Sequence, residues 1–291
     1  MAEVRSSGSC SVPARSRLRA ALEAARAPLL ERGYAVVDNA LSRADAALLH
    51  EEMASLRSRN VLRQHRFGFR SSTTAVPQIY EKPHIFEAEL DDDHLHTEAP
   101  RLVTALSRIR LAEEAAAAFP DLKLHANRPP PADRGVTVKL QCNEGHGGCF
   151  PLHYDNAGPP SRRRLTILTY LNPEWVEGDG GELQLLPWLE RARSIRPLHG
   201  RIVLFLSDVI LHRVLPSRAT RYCFTVWLNG DGTNSTEATS LKVGEPTQTC
   251  LQLPLSPAQV CVCIYIYRSL SFRSRRTTAL NSPRAHTLHH P

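Results

Sequence analysis

Hydrophobic positions recur at helical spacing through the first third of the chain and at strand spacing from about residue 135 onward. Between Ser16 and Glu31, the residues Leu18, Leu22, Ala25 and Leu29 fall three to four apart, which lines one face of a helix. Gly33 ends that helix, and Tyr34 to Asp38 reads as a short apolar strand. Ser42 then caps a second helix reaching about Leu56, with Asp45 at the capping-box position. Residues 57–100 hold no sustained period and read as loops, with short strands around Ile79–Tyr80 and His84–Phe86. A third helix spans about Pro100 to Phe119, and the proline-rich stretch Asn127 to Asp133 reads as a linker.

From Gly135 the pattern becomes that of strands. Val136 to Cys142 alternates, and Arg164 to Leu171 is a long β-rich run ended by Asn172-Pro173. Glu182 to Leu186 follows the glycine turn at 178–181, and Arg201–Leu206, His212–Leu215 and Tyr222–Leu228 complete the set. Many short strands with turn signals between them predict a sandwich or barrel. No internal repeat is visible. Past Gly244 the one apolar patch is Val260 to Tyr267, which could add a strand but has no partner in the pattern.

Composition changes this picture little. Of 291 residues, 42% are hydrophobic and 22% charged, which suits a chain with a substantial core. No run approaches the ~18 consecutive apolar residues of a membrane span. The first residues, to Arg19, lack the apolar stretch of a secretion signal, although an Arg- and Ser-rich start leaves organellar import open. The formal charge of +7 sits in the ends: six arginines against three acids in residues 1–32, and five arginines with no acid from Pro246 onward. The body is nearly neutral, so the charge makes no strong case for nucleic acid, and the ends read as solvated tails. Seven cysteines, none in a CxxC pair, read as reduced thiols of an intracellular protein, cytoplasmic or nuclear.

The chemistry concentrates at His153-Tyr154-Asp155. Residues i and i+2 of a strand share a face, so an imidazole and a carboxylate are aimed together while Tyr154 points away into packing. His212 supplies a second imidazole near a later strand. Two histidines and one carboxylate on one face of an octahedral ion leave the opposite positions open, the arrangement of non-haem Fe(II) oxygenases. Arg221 follows on the next strand, and Thr225, four residues further, faces the same way. An arginine fork beside a hydroxyl suits an anchored carboxylate. The arginine run 162–164 reads as a solvated turn, or as a patch steering an acidic substrate.

These segments, read together, resemble a known family. They are Cys149 to Asn156, Arg164 to Asn172, Gly180-Gly-Glu-Leu183, Phe205 to Asp208, His212 to Pro216 and Arg221 to Trp227. In order and spacing they are similar to the prolyl 4-hydroxylase-type Fe(II)/2-oxoglutarate dioxygenases, most of all to the oxygen-sensing branch. The resemblance covers about residues 135–230 and implies a role for each matching residue. His153, Asp155 and His212 match the catalytic iron ligands. Arg221 matches the arginine that pairs with the far carboxylate of 2-oxoglutarate, Tyr170 a tyrosine reaching that carboxylate, and Thr225 a threonine lining the same pocket. Asn143 and Phe150 stand where the oxygen-sensing enzymes carry tyrosines.

The expected fold is mainly β with flanking N-terminal helices, a double-stranded β-helix or jelly roll. Its divisions are a flexible start (1–14), a helical and irregular region packed on the core (15–134), the dioxygenase core (135–230) and a poorly specified, disordered tail (231–291). The resemblance implies Fe(II), the cosubstrate 2-oxoglutarate, O2 and the reductant L-ascorbate, with release of succinate and CO2. Three functions compete: hydroxylation of a protein side chain, with peptidyl-proline the family default; oxidation of a small molecule by the same residues; and a non-catalytic binding module. The sequence leaves the partner, protein or peptide or small molecule, and the oligomeric state open.

Overall fold

The computed structural model describes residues 14–69, 78–126, 135–158 and 160–231. The linker read at 127–133, the N-terminal tail to residue 13, and the tail from 232 with the patch at 260–267 lie outside the described residues. Two antiparallel sheets face each other, with helices over the larger one. That sheet has seven strands in the order β1 (Tyr34–Val37), β9 (Ile202–Leu206), β6 (Arg163–Tyr170), β11 (Arg221–Asn229), β4 (Val136–Asn143), β3 (Gln78–Glu89) and β2 (Arg63–Phe69). The smaller sheet runs β5 (Gly148–His153), β10 (Leu211–Ser217), β7 (Leu183–Leu186) and β8 (Arg193–Ile195). This is the layout expected of a double-stranded β-helix.

Strict alternation along the large sheet divides the interior in two. On β6, β9 and β11, Leu165, Ile167, Ile202, Leu204, Phe224, Val226 and Leu228 face the layer packed with the helices. Their neighbours Leu168, Tyr170, Val203, Phe205 and Cys223 face the small sheet and meet Leu183, Leu185, Ile195 and Val214 there. The helical layer includes α1 (Ala14–Arg32), whose stripe Leu18, Leu22, Ala25 and Leu29 is buried as the spacing predicts. In α2 (Arg43–Ser58), the Ser42 hydroxyl accepts from the Asp45 N–H at 3.0 Å and donates to its carboxylate at 2.7 Å. The same carboxylate pairs with Arg108, tying α2 to the helix Pro100–Ile109.

Two expectations change. The third helix is two helices, α4 (Pro100–Ile109) and α5 (Leu111–Ala118), separated by Arg110 in the left-handed conformation at φ 52°. In an unbroken helix Ile109 and Leu111 would lie about 200° apart; the break lets both be buried. The stretch read as irregular holds the helix α3 (Asp93–Glu98) and the strands β2 and β3, which extend the large sheet beyond β4. Pro83 divides β3 into the two short strands that the pattern shows, Ile79–Tyr80 and His84–Phe86. It falls where the β2–β3 register shifts, between the pairs Gln64↔Phe86 and Arg66↔Glu81. A proline without an N–H is tolerated at such a bulge. Gln64 there donates to the Lys82 carbonyl at 3.1 Å. Cys142, Cys149 and Cys223 are free thiols, and no helix of the described residues is long and apolar enough to cross a membrane.

Candidate active site

His153 ends β5 and sits directly opposite His212 in the β5–β10 ladder, with ring centroids 4.2 Å apart. Asp155 lies just past the end of β5, in a turn rather than on the strand. Tyr154, read as packing, is 43% exposed and stands at the rim of the site, because the strand ends before it.

Backbone carbonyls set both imidazoles. His153 Nδ1 lies 2.8 Å from the Pro151 oxygen, and His212 Nδ1 lies 3.1 Å from the Ile210 oxygen. A carbonyl only accepts, so each Nδ1 carries the proton and each Nε2 keeps its lone pair. Those two Nε2 atoms face one oxygen, Asp155 Oδ1, at 3.6 and 3.8 Å. The other oxygen, Oδ2, accepts from the Thr166 hydroxyl at 2.7 Å and the Trp227 indole N–H at 2.9 Å. Thr166 Oγ1 lies 2.9 Å from the Ser207 hydroxyl, which donates to it because the Thr166 proton is already used.

One ligand atom from each of the three residues falls within 4.8 Å of the others, the dimensions of a shared cation site. Burial pushes His212 down to about 4, so its ring is neutral and able to ligate at physiological pH. Burial alone would raise the Asp155 carboxyl. The facing rings of His212 and His153 and the Thr166 hydroxyl outweigh it and hold the group well below the usual carboxylate range.

Across the sandwich, Arg221 opens β11 with its side chain buried. Its Nη1 lies 3.3 Å from Cys223 Sγ, and its guanidinium stands 4.9 Å from the Tyr170 ring centroid. Nε and Nη2 of Arg221 and the Tyr170 hydroxyl are all buried without a hydrogen-bond partner. Burial also pushes the Tyr170 phenol up to about 12, so it stays a neutral donor. Gly181 makes room for the arginine: a Cβ there would lie 3.1 Å from Arg221 Cδ and 2.7 Å from Ser217 Oγ.

His153, Asp155, His212, Arg221 and Thr225 line one cavity of about 260 Å³. Tyr170 does not line it but sits against Arg221. The cavity also takes in Thr166, Trp227, Gln141, Lys139, His65 and Lys82, which the sequence did not mark as site residues, and Arg163, from the run read as a solvated turn or a steering patch. Trp227 carried a usable signal: it continues the period-two series Arg221, Cys223, Thr225. Of the two positions that depart from the oxygen-sensing enzymes, Phe150 lines the cavity. Asn143 is turned into a structural role, donating to the Gly148 carbonyl at 2.8 Å and accepting from the Gly145 N–H at 3.1 Å.

Comparison with known proteins agrees with this geometry. The family model of the 2OG-Fe(II) oxygenase superfamily matches residues 138–229. The chain is 36% identical over 91 residues to prolyl hydroxylase EGLN3 of Mus musculus, a match covering 30% of this chain and 38% of the relative. It is equally identical over 91 residues to Egl nine homolog 1 of Homo sapiens, where the match covers 30% of this chain and 21% of the relative. It therefore spans well under half the length of these curated relatives. Among solved structures, prolyl 4-hydroxylase from Phytophthora capsici superposes with a TM-score of 0.64 at 35% identity, over 82% of this chain and 72% of the other. A Trichoplax adhaerens prolyl hydroxylase in complex with a hypoxia inducible factor oxygen degradation domain peptide shares the fold, with a TM-score of 0.56 at 23% identity over 74% and 90%. With sequence and fold alike over four-fifths of its length, the chain belongs to the prolyl hydroxylase-type 2OG-Fe(II) oxygenase family.

Proposed function

We propose that the chain is an Fe(II)- and 2-oxoglutarate-dependent dioxygenase that hydroxylates a protein side chain, with peptidyl-proline as the substrate residue. The observation that carries the reading is the pairing of two unmet demands across one cavity. On one side three ligand atoms, two imidazole nitrogens and a carboxylate oxygen, converge within 4.8 Å of one another. On the other, a guanidinium that lines the cavity, with a buried phenol behind it, has buried donors with no acceptor, and so has the phenol. Buried donors are almost always satisfied, so these fit an anion that is part of the working site. A dicarboxylate bridging a metal and an arginine answers both.

His153, Asp155 and His212 would hold the metal, and Arg221, Tyr170 and Thr225 the far carboxylate of the cosubstrate. When bound, Fe(II) with O2 and 2-oxoglutarate supplies the oxidising chemistry, in which one oxygen atom enters a substrate C–H bond, the other enters succinate, and CO2 is released. The protein's own work is placement. The Pro151 and Ile210 carbonyls fix the imidazole tautomers. Thr166 and Trp227 occupy Oδ2, leaving Oδ1 of Asp155 for the metal. Phe205, Leu168, Leu183 and Val214 supply the apolar part of the cavity wall. L-Ascorbate is proposed as the reductant that keeps the iron ferrous. A peptide substrate is supported by the peptide-bound Trichoplax relative.

The test is Fe(II)-dependent succinate release from 2-oxoglutarate over peptide and metabolite libraries, with mass analysis for an added oxygen. Stimulation by proline peptides is the expected result. His153→Ala and His212→Ala should each abolish metal binding and turnover while the circular dichroism spectrum stays native. Full turnover by both variants, or stimulation by metabolites alone, would overturn the reading.

A further inference from the structure

Two of the polar side chains that line the cavity without a role above already have a partner. His65 Nδ1 and Lys139 Nζ share Glu87 at the mouth, at 2.6 and 3.0 Å. Gln141, which also lines the cavity, is different. It sits on β4 directly opposite Cys223 of β11, and Cys223 in turn lies opposite Tyr170 of β6. Directly paired residues share a face of the sheet, so Tyr170, Cys223 and Gln141 form one row across three strands. The next pair on that face is Arg221 and Asn143. Tyr170 and Gln141 thus stand on either side of the sulfur that holds Arg221.

The thiol between them fixes how the amide is turned. Arg221 Nη1 donates to Cys223 Sγ at 3.3 Å. Burial pushes the thiol up, so it keeps its proton. That proton is left for Gln141, whose Oε1 lies 3.8 Å from the sulfur. A donor there requires the carbonyl end of the amide to face it. Gln141 Nε2 keeps its two N–H donors, and among the described residues it makes no hydrogen bond.

The one carboxylate in the cavity lining does not need those donors. Asp155 has Oδ2 filled by Thr166 and Trp227, and it turns Oδ1 to the two imidazoles. On Arg221, Cys223 takes Nη1 and leaves Nε and Nη2 open, the edge that grips a carboxylate through two parallel N–H bonds. The free end of Gln141 and the free edge of Arg221 are set by one sulfur, so a carboxylate held on that edge has the amide as its neighbour. Asn143, on the same face, cannot serve, because its amide is spent on Gly148 and Gly145.

We propose that Gln141, turned by Cys223, is a further cosubstrate-binding residue whose amide N–H donates to the carboxylate that Arg221 anchors. This rests on the dioxygenase reading above and deepens it. Cys223 is a positioning residue, since it acts through its two neighbours.

The experiment uses the full chain with Fe(II), oxygen excluded, and isothermal titration calorimetry with 2-oxoglutarate and with 2-oxopentanoate. The second ligand has the same carbon chain and keto-acid end but no far carboxylate. Gln141→Leu should weaken 2-oxoglutarate about tenfold, the scale of one hydrogen bond to a charged group, and shift 2-oxopentanoate less than about twofold. Cys223→Ala should weaken 2-oxoglutarate by a smaller factor. Cys223→Ser can still accept from the arginine and donate to the amide, so it should recover part of that loss. A 2-oxoglutarate shift under about twofold for Gln141→Leu overturns the proposal. So does an equal loss for both ligands, which would mark a change of cavity shape. Should Gln141→Leu fail to fold by thermal melting, Gln141→Met takes its place. The two readings fail separately. A wild type that binds no 2-oxoglutarate sinks the dioxygenase reading, whereas a wild type that binds it no more tightly than Gln141→Leu sinks the Gln141 assignment alone.

Discussion

The Trp227 indole reaches from the large sheet to the ligand cluster and donates to Asp155 Oδ2 at 2.9 Å. Asp155 needs that support because it lies beyond the last paired residue of β5 and has no ladder of its own. Thr166, on β6, holds the same oxygen and is itself held by Ser207. The carboxylate that faces both imidazoles is thus positioned by the opposite sheet.

Removing that support should loosen the metal rather than the fold. Partners that orient a metal ligand typically cost 10–100-fold in affinity when lost. Trp227→Phe and Thr166→Val should each weaken Co(II) or Mn(II) binding by about that factor, followed by titration under anaerobic conditions. A change under twofold in both would show that Asp155 is set by its own turn alone.

Arg221→Ala should act on the cosubstrate and spare the metal. Truncating one partner of a buried charge pair costs about 2–5 kcal/mol, or roughly 30-fold to several-thousand-fold in 2-oxoglutarate affinity at tenfold per 1.4 kcal/mol. Arg221→Lys should fall between alanine and wild type, keeping charge but losing the fork. The dissociation constant measured with Fe(II) and without oxygen decides: a shift under fivefold for alanine is what an exposed ion pair would give.

Gly181 offers a subtler way into the same pocket. Its φ of +73° disfavours any side chain, and a Cβ would press on Ser217 Oγ and Arg221 Cδ. Gly181→Ala should lower the melting temperature by several degrees and weaken 2-oxoglutarate, while metal titration matches the wild type. Unchanged cosubstrate affinity in a destabilised variant would separate Gly181 from Arg221.

The mouth carries a pH-dependent contribution to stability. Burial opposes the charge of Glu87, but His65 and Lys139 outweigh it and lower the carboxyl below its ordinary 4.5. A depressed carboxyl stabilises the fold above its unfolded value and loses that contribution as pH falls through the folded one. The difference in denaturation midpoint between wild type and Glu87→Gln should therefore be full above about pH 5 and shrink below about pH 4. A difference independent of pH across that span would assign the effect to packing.

Much of this was legible in the chain, for reasons that differ from residue to residue. Leu18, Leu22, Ala25 and Leu29 announced their helix because their period is long enough to be unambiguous. The alternation at Arg221 and Thr225 placed both side chains on one face, and both line the cavity. Arg110 gave no warning, since arginine is not a residue that marks a left-handed break. Gln78–Glu89 was legible only as two short strands, at Ile79–Tyr80 and His84–Phe86, because Pro83 interrupts it at a bulge and because β4, one of its neighbours in the sheet, is distant in sequence. Thr166, Ser207 and Trp227 act through Asp155, and no motif of their own records it.

The division of labour between the two sheets has a mechanical consequence. The ligand cluster rests on β5, β10 and the turn that follows β5, whereas Arg221, Thr225 and Tyr170 rest on β11 and β6. Facing sheets stand about 10 Å apart at a spacing fixed by the side chains packed between them. Anything gripped at both ends is a strut across that gap, and the gap becomes a gauge of its length. The keto-diacid proposed as cosubstrate would be such a strut, and an occupied site should brace the sandwich against the two sheets sliding apart.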